Sequence, residues 1–304
     1  MPVPSPITRR QLLRTATAAS LTSLSPDIWP DPLGIAPGIQ LYTVGADMLR
    51  NSPQTLQQLA AIGYRYVEGF PNETTLSAIE LRQLLDTVSL RMVSIHLPFN
   101  SKDMTPYFRD AHTLGAHYVV SSTLAPDDFA NRKHERGKNN LESMTTDDYR
   151  HLAEKVNFVA RLSREAGLQY AYHNHYFEFR DLGSGRIGYD ILLDHTDPAL
   201  VTFEIDCGWM LLAGRDPIHY MRSYPGRFCM LHIKDFVKGP VYTGGPNRPV
   251  GTELGRGRTD YRPIFKEASK AGIVYYFVEQ EPPFIEGLTP LQVAAIDYKY
   301  LHAL

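Results

Sequence analysis

Short apolar runs in this chain end, one after another, in a side chain that can move a proton or hold a metal. RYVEGF brings Glu68, MVSIHLPF brings His96, YAYHNH brings His173 and His175, TFEIDCGW brings Asp206, MLHIKD brings His232, Lys234 and Asp235, and YYFVEQE brings Glu279. A catalytic divalent cation is held by imidazoles and carboxylates that converge from separate strands and leave room for substrate oxygens. Asp206, His232 and Glu279 meet that description on three consecutive runs. Singly, each has an ordinary alternative, an acid capping a helix or a histidine bonded within a core; at equivalent ends of three runs they point to one metal centre.

His173 and His175 lie two apart and share a face if the strand persists, so one of them is expected to complete the set. His173 is favoured because it lies nearer the regular strand, leaving His175 for a substrate hydroxyl or a proton. The expected metal ligands are therefore His173, Asp206, His232 and Glu279. Lys234 shares the face of His232, where an ammonium could neutralise an enediolate oxygen or, with a lowered pKa, carry a proton; its alternative is a salt bridge to Asp235. Glu279, His175 and Lys234 are the expected catalytic groups. Glu68 and His96 are expected to hydrogen-bond sugar hydroxyls, and Trp209, with Tyr42, Phe70, Phe99, Tyr172 and Phe284, to stack a sugar ring or to fill core.

The elements that must position these groups follow from the same runs. A strand apolar along its length and polar at its carboxyl end is a stave of a parallel barrel, whose C-terminal mouth gathers such residues into one site. Runs rich in β-branched and aromatic residues predict strands over 39–44, 64–68, 91–96, 118–121, 169–174, 201–206, 229–234 and 274–279, with helical stretches between them. Ser52 is read as an N-cap with Pro53 at the first helical position and Gly63 as the stop, and Thr145 with Asp148 as a capping box for a helix ending at Gly167. Strand and helix alternate eight times. The expectation is an α/β fold, a single (β/α)8 TIM barrel over residues 38–304, with a polar stretch at 126–145 as a lid or an insertion.

A formal net charge of −2 offers no electrostatic footprint for nucleic acid or anionic membrane, so the expected partner is a small carbohydrate. Two cysteines, Cys207 and Cys229, exclude a disulfide-built scaffold and a four-thiolate zinc site. No nucleophile elbow of the G-x-S-x-G type is present, and GRGRTDY lacks the setting of a phosphate cradle, though Arg256 or Arg258 could meet a phosphate on the substrate. Residues 1–37 read as a twin-arginine signal, from adjacent Arg9 and Arg10, with a linker rich in Pro and Gly; this predicts an exported, periplasmic protein without a stable membrane anchor.

Taken in order, GIQLYTV, GYRYVEGF, the strand ending in HLPF, YHNHYFEF, EIDCGW, LHIKD and YYFVEQE resemble the strand ends of the sugar phosphate isomerase/epimerase-like proteins with the xylose isomerase-like TIM barrel. The resemblance implies a barrel binding Mn²⁺ or Mg²⁺, with Zn²⁺, Co²⁺ or Fe²⁺ as substitutes, through Asp206, His232, Glu279 and the fifth-strand position held by His173. Many relatives carry a glutamate at that fifth-strand position, which works as a second acid/base; a histidine bound to metal cannot. The expected activity is isomerase or epimerase chemistry by proton abstraction next to a carbonyl, with loss of a β-substituent from a keto-sugar or keto-glycoside as the runner-up. A sugar-binding protein without catalysis is the alternative of another class, and a homo-oligomer is an open expectation.

Overall fold

The computed structural model describes residues 33–70, 73–98, 103–127, 140–282, 284 and 287–304. Arg9 and Arg10, Phe99 and most of the polar stretch 126–145 lie outside them. Eight parallel strands close into a barrel: β1 Gly38–Gln40, β2 Tyr66–Gly69, β3 Arg91–His96, β4 Tyr118–Ser121, β5 Gln169–His173, β6 Val201–Asp206, β7 Phe228–Ile233 and β8 Tyr275–Val278, with β1 pairing both β2 and β8. Nine helices surround them among the described residues: α1 Gly45–Ile62, α2 Ala78–Thr87, α3 Thr105–Leu114, α4 Thr146–Glu165, α5 Gly188–His195, α6 Cys207–Leu212, α7 Pro217–Ser223, α8 Tyr261–Ala271 and α9 Pro290–His302.

Local chemistry accounts for most of these boundaries. Thr145 and Asp148 form the capping box that starts α4, and Val156, Val159 and Ala160 are among the residues it buries. Gly63 ends α1 at φ 129°, and a Cβ there would stand 2.2 Å from the Tyr298 ring, so only glycine lets α1 and α9 approach so closely. Two expected boundaries differ. The first strand stops at Gln40, because the Gln40 side chain accepts the Tyr42 N–H and turns 41–44 into a 3₁₀ turn with Leu41, Thr43 and Val44 buried. α1 starts at Gly45 and kinks at Asn51, whose Oδ1 accepts the Gln54 N–H; the cap of the following turns is therefore Asn51 rather than Ser52.

The barrel interior is layered. Val93, Val120, Ala171, Met230 and Phe277 form an apolar plug, against which Tyr66, Tyr118 and Tyr275 pack from the first positions of their strands. Above it the strands carry buried polar groups, and these face the C-terminal mouth. No helix among the described residues is long and apolar enough to cross a membrane.

Candidate metal and proton-transfer site

Strand register brings the expected ligands together. Asp206 and His232 are direct partners across β6 and β7, and His173 pairs with Glu204 across β5 and β6. His173, Asp206, His232 and Glu279 each offer one ligand atom, all within 4.8 Å of one another and all buried. A second group, His96, His173, Glu204 and His232, meets the same test. The two groups share their imidazoles through opposite nitrogens. His173 donates its Nδ1–H to Glu204 Oε2 at 3.0 Å, while its Nε2 lies 3.8 Å from Asp206 Oδ2. His232 donates from Nε2 to Glu68 Oε1 at 2.6 Å and from Nδ1 to Glu279 Oε2 at 3.0 Å. The carboxylates of Glu204 and Glu68 thus fix which nitrogen of each ring is turned toward Asp206 and Glu279, as outer carboxylates do behind metal-ligating histidines.

Lys234 supplies the fixed positive charge. Its Nζ lies 2.5 Å from Glu279 Oε2, 2.8 Å from Glu281 Oε1 and 3.1 Å from Asp206 Oδ2, and 5.0 Å above the Trp209 ring. Gly208 makes that path available: a Cβ there would fall 2.2 Å from Lys234 Cγ. Burial tends to lower the ammonium pKa, but Asp206, Glu279 and Glu281 together raise it, so Lys234 stays charged. Burial also opposes charge on Glu279, yet Lys234 and His232 hold it well below the usual range. Asp206 and Glu204 go the other way, raised first by burial. Asp206 Oδ2 and Glu204 Oε1 are buried without a hydrogen bond. The cluster gathers five carboxylates, Glu68, Glu204, Asp206, Glu279 and Glu281, around Lys234 and the histidines, and the free Nε2 of His173 faces an Asp206 oxygen whose cationic neighbour is the Lys234 ammonium. That donor set fits a divalent cation.

His175 stands apart. Its ring stacks on Phe177 with centroids 5.5 Å apart, its Nδ1 is buried without a partner, and burial pulls its imidazole down to about 4. It lines a cavity of about 170 Å³ together with Tyr42, Phe70, Ser122, Thr123 and Glu279. The depressed pKa keeps the ring neutral, with a nitrogen open to accept a proton, across the physiological range. Because the folded value lies below the unfolded one, stability is whole above about pH 6.5 and falls as the pH drops toward 4, by up to ~3 kcal/mol and less where the cavity admits water. Urea unfolding at pH 7 and pH 4.5 is expected to show a larger loss for the wild type than for His175→Gln; equal losses would remove this account of the imidazole.

Residues 56–290 match the family model for the xylose isomerase-like TIM barrel. The chain belongs to that family. An inosose dehydratase of Clostridium tetani is 27% identical over 172 residues, covering 52% of this chain and 55% of that protein, so the chain spans about half the length of the curated relatives it matches. The crystal structure of a sugar phosphate isomerase/epimerase from Parabacteroides distasonis superposes with a TM-score of 0.69 at 27% identity, covering 88% of this chain and 93% of that one. A xylose isomerase-like TIM barrel protein from Mycobacterium smegmatis in complex with magnesium superposes with a TM-score of 0.59 at 16% identity, over 88% of this chain and 95% of that one.

Within this xylose isomerase-like barrel the expected residues separate by depth. His173, Asp206, His232, Glu279 and Lys234 converge, and His96 and His175 face the cavity. Glu68 and Trp209 do not face it. Glu68 is wholly buried, with one oxygen taken by Gln40 Nε2, His96 Nε2 and His232 Nε2 and the other by the Ser94 hydroxyl, so it serves the histidines and has no oxygen left for a sugar. Trp209 is 1% exposed on α6 and packs under Lys234 and Arg248. Asp235 is not the partner of Lys234: it accepts the backbone N–H groups of Phe236, Gly257, Arg258 and Thr259. Arg256 bonds Glu253, and Arg258 bonds the Gly239 and Pro240 carbonyls, so neither reaches the cavity wall. Sequence reasoning missed Glu204 and Glu281. Glu204 lies two residues before Asp206, and strand alternation puts both on one face, a signal present in TFEID. Glu281 carries no such signal, because its role comes from reaching Lys234 and Arg248.

Proposed function

We propose that this barrel is a carbohydrate lyase of the dehydratase type, removing a proton from the carbon beside a carbonyl and expelling a substituent from the next carbon, with a divalent cation held by His173, Asp206, His232 and Glu279. The observation that carries this reading is the single free base. Of the ionisable groups lining the cavity, Glu279 and Glu281 are paired to Lys234, His96 is raised to about 9 chiefly by Glu68 against the effect of burial, and His173 belongs to the ligand set. Burial keeps the Tyr42 phenol protonated, so His175 alone is an unprotonated base outside that set, without a side-chain hydrogen bond. Epimerisation by a two-base route needs acceptors on both faces of a carbon; one base suffices for elimination. The bound cation would polarise the carbonyl and offset the charge that builds on its oxygen.

His175 takes the proton, and the Lys234 ammonium, fixed by its carboxylates, stabilises negative charge nearby without giving up its own proton. Ser122 and Thr123 offer hydroxyls to the substrate from the β4 side of the mouth. The name of the Clostridium tetani relative supports elimination. The Parabacteroides distasonis neighbour favours a second reading, isomerisation by the same base returning the proton to the adjacent carbon. Incubation of the manganese-loaded protein with keto-sugars and inososes in D₂O tests both. Deuterium exchange beside the carbonyl with release of water or another substituent, lost in His175→Gln, is expected. Exchange without release assigns isomerisation, and no exchange with any of them overturns proton abstraction.

A further inference from the structure

Beneath the outer ligand set, one oxygen of Glu204 is surrounded by imidazoles. Its Oε2 lies 3.0 Å from His173 Nδ1, 3.3 Å from His232 Nε2 and 3.4 Å from His96 Nε2. The four side chains are 5% exposed or less, and each offers a ligand atom within 4.8 Å of the others. Around a cation with bonds of about 2.1 Å, neighbouring donors stand about 3.0 Å apart in an octahedron and about 3.4 Å apart in a tetrahedron. The three spacings to Glu204 fall inside that interval. A carboxylate satisfied by hydrogen bonds spreads its donors over both oxygens; here Oε1 is buried without one while three nitrogens crowd Oε2. Glu68 Oε1, 2.6 Å from His232 Nε2 and 3.0 Å from His96 Nε2, brings a second buried carboxylate, so the pair of acids would balance a double positive charge.

We propose that the barrel has a second, inner cation position, formed by His96, His173, Glu204 and His232, which selects zinc and cannot be filled together with the outer one. Exclusion follows from the shared rings. A neutral imidazole has one lone pair, and the two positions call on opposite nitrogens: the inner one takes His173 Nδ1 and His232 Nε2, the outer one His173 Nε2 and His232 Nδ1. With an ion inside, His232 keeps its Nδ1–H on Glu279 Oε2 at 3.0 Å and His173 turns an Nε2–H toward Asp206, so the outer acids become the outer partners of the inner ion. Selection follows from the donors. Three imidazole nitrogens and one carboxylate make a four-donor zinc set, whereas two imidazoles with two carboxylates suit manganese or magnesium, and zinc stands above manganese in general affinity. Zinc in the inner position would therefore dislodge the outer cation and act as an inhibitor that touches neither Asp206 nor Glu279 directly.

X-ray absorption on the full chain loaded with one zinc ion reads the donor set directly. A shell of three imidazoles is expected; a shell of two places zinc in the outer position and overturns the inner one. Variants give an independent readout through zinc competition with a chelator and manganese binding followed by electron paramagnetic resonance. His96→Gln is expected to weaken zinc by at least ~100-fold and to change manganese by less than ~10-fold, because His96 belongs to the inner set alone. Glu279→Gln, which keeps an acceptor for the His232 Nδ1–H, is expected to do the reverse. Zinc affinity that survives His96→Gln, or that falls together with manganese affinity in Glu279→Gln, overturns the proposal; should either variant fail to fold, the wild-type absorption spectrum still decides. Zinc added to the manganese-loaded wild type is expected to release the manganese one for one, and a chain that holds both ions overturns the exclusion. None of these measurements involves turnover. A two-imidazole shell leaves the proton-abstraction reading standing, and a lack of deuterium exchange leaves the zinc position standing.

Discussion

Asp206→Asn is expected to weaken divalent-cation binding by at least ~100-fold, since loss of even an outer partner of a ligand costs 10–100-fold and Asp206 belongs to the ligand set itself. Asparagine preserves the shape of the side chain and its bond to the Trp209 N–H, which caps α6, so the fold around the site survives while the charge goes. Turnover should fall with the loss of bound cation and return in part at high manganese. Glu204→Gln should act on the same equilibrium from outside. It removes the carboxylate that holds the Nδ1–H of His173, and a drop of ~10–100-fold is expected. The pH dependence has a definite sign. His232 donates from both nitrogens, so its imidazolium must shed the Nδ1 proton before that nitrogen can bind a cation; affinity therefore rises with pH and uptake releases protons. Equilibrium dialysis with manganese at pH 6 and pH 8 measures both effects. Unchanged affinity in Asp206→Asn would remove the centre.

The parts of this site that were legible in the sequence are those governed by periodicity. Apolar strands ending in Asp206, His232 and Glu279 predict a barrel mouth because strand side chains alternate and parallel strands are buried on both faces. His173 and His175 were separable for a related reason: β5 ends at His173, so His175 lies beyond the regular strand. Depth was not legible. Glu68 and Glu279 both end apolar runs, yet one is sealed beneath the histidines and the other lines the cavity, because barrel strands are staggered and equal positions in sequence reach unequal heights. Trp209 follows an acid at a strand end, which suggests a sugar platform; α6 instead turns its ring inward under Lys234. Nor does sequence show that Lys234 would pass over its neighbour Asp235 to reach acids on β6 and after β8, since that choice depends on the gap that Gly208 leaves for the side chain.

That same arrangement makes Lys234→Met the substitution with the largest expected effect on folding. Methionine nearly matches the lysine stem in length and is apolar, so the loss is one of charge rather than of packing. Asp206, Glu279 and Glu281 would be left as buried acids without their shared ammonium, and breaking a buried ion pair by removing one partner costs ~3–5 kcal/mol. Two of those acids belong to the ligand set, so a bound cation replaces much of the missing charge. Manganese should therefore stabilise the variant more than the wild type. In the absence of cation the deficit also depends on pH. Removing the ammonium raises the folded pKa values of Glu279 and Glu281 and raises further that of Asp206, already lifted by burial, so the penalty is fullest at high pH and shrinks as the pH falls through the raised folded values toward the unfolded ones of about 4. Urea unfolding of both proteins at pH 7 and pH 5, with manganese and with chelator, reads out all of these terms. A variant as stable as the wild type in chelator at pH 7 would show that Lys234 is not what keeps these carboxylates charged. A deficit that manganese leaves untouched would show that the cation and the ammonium do not serve the same acids.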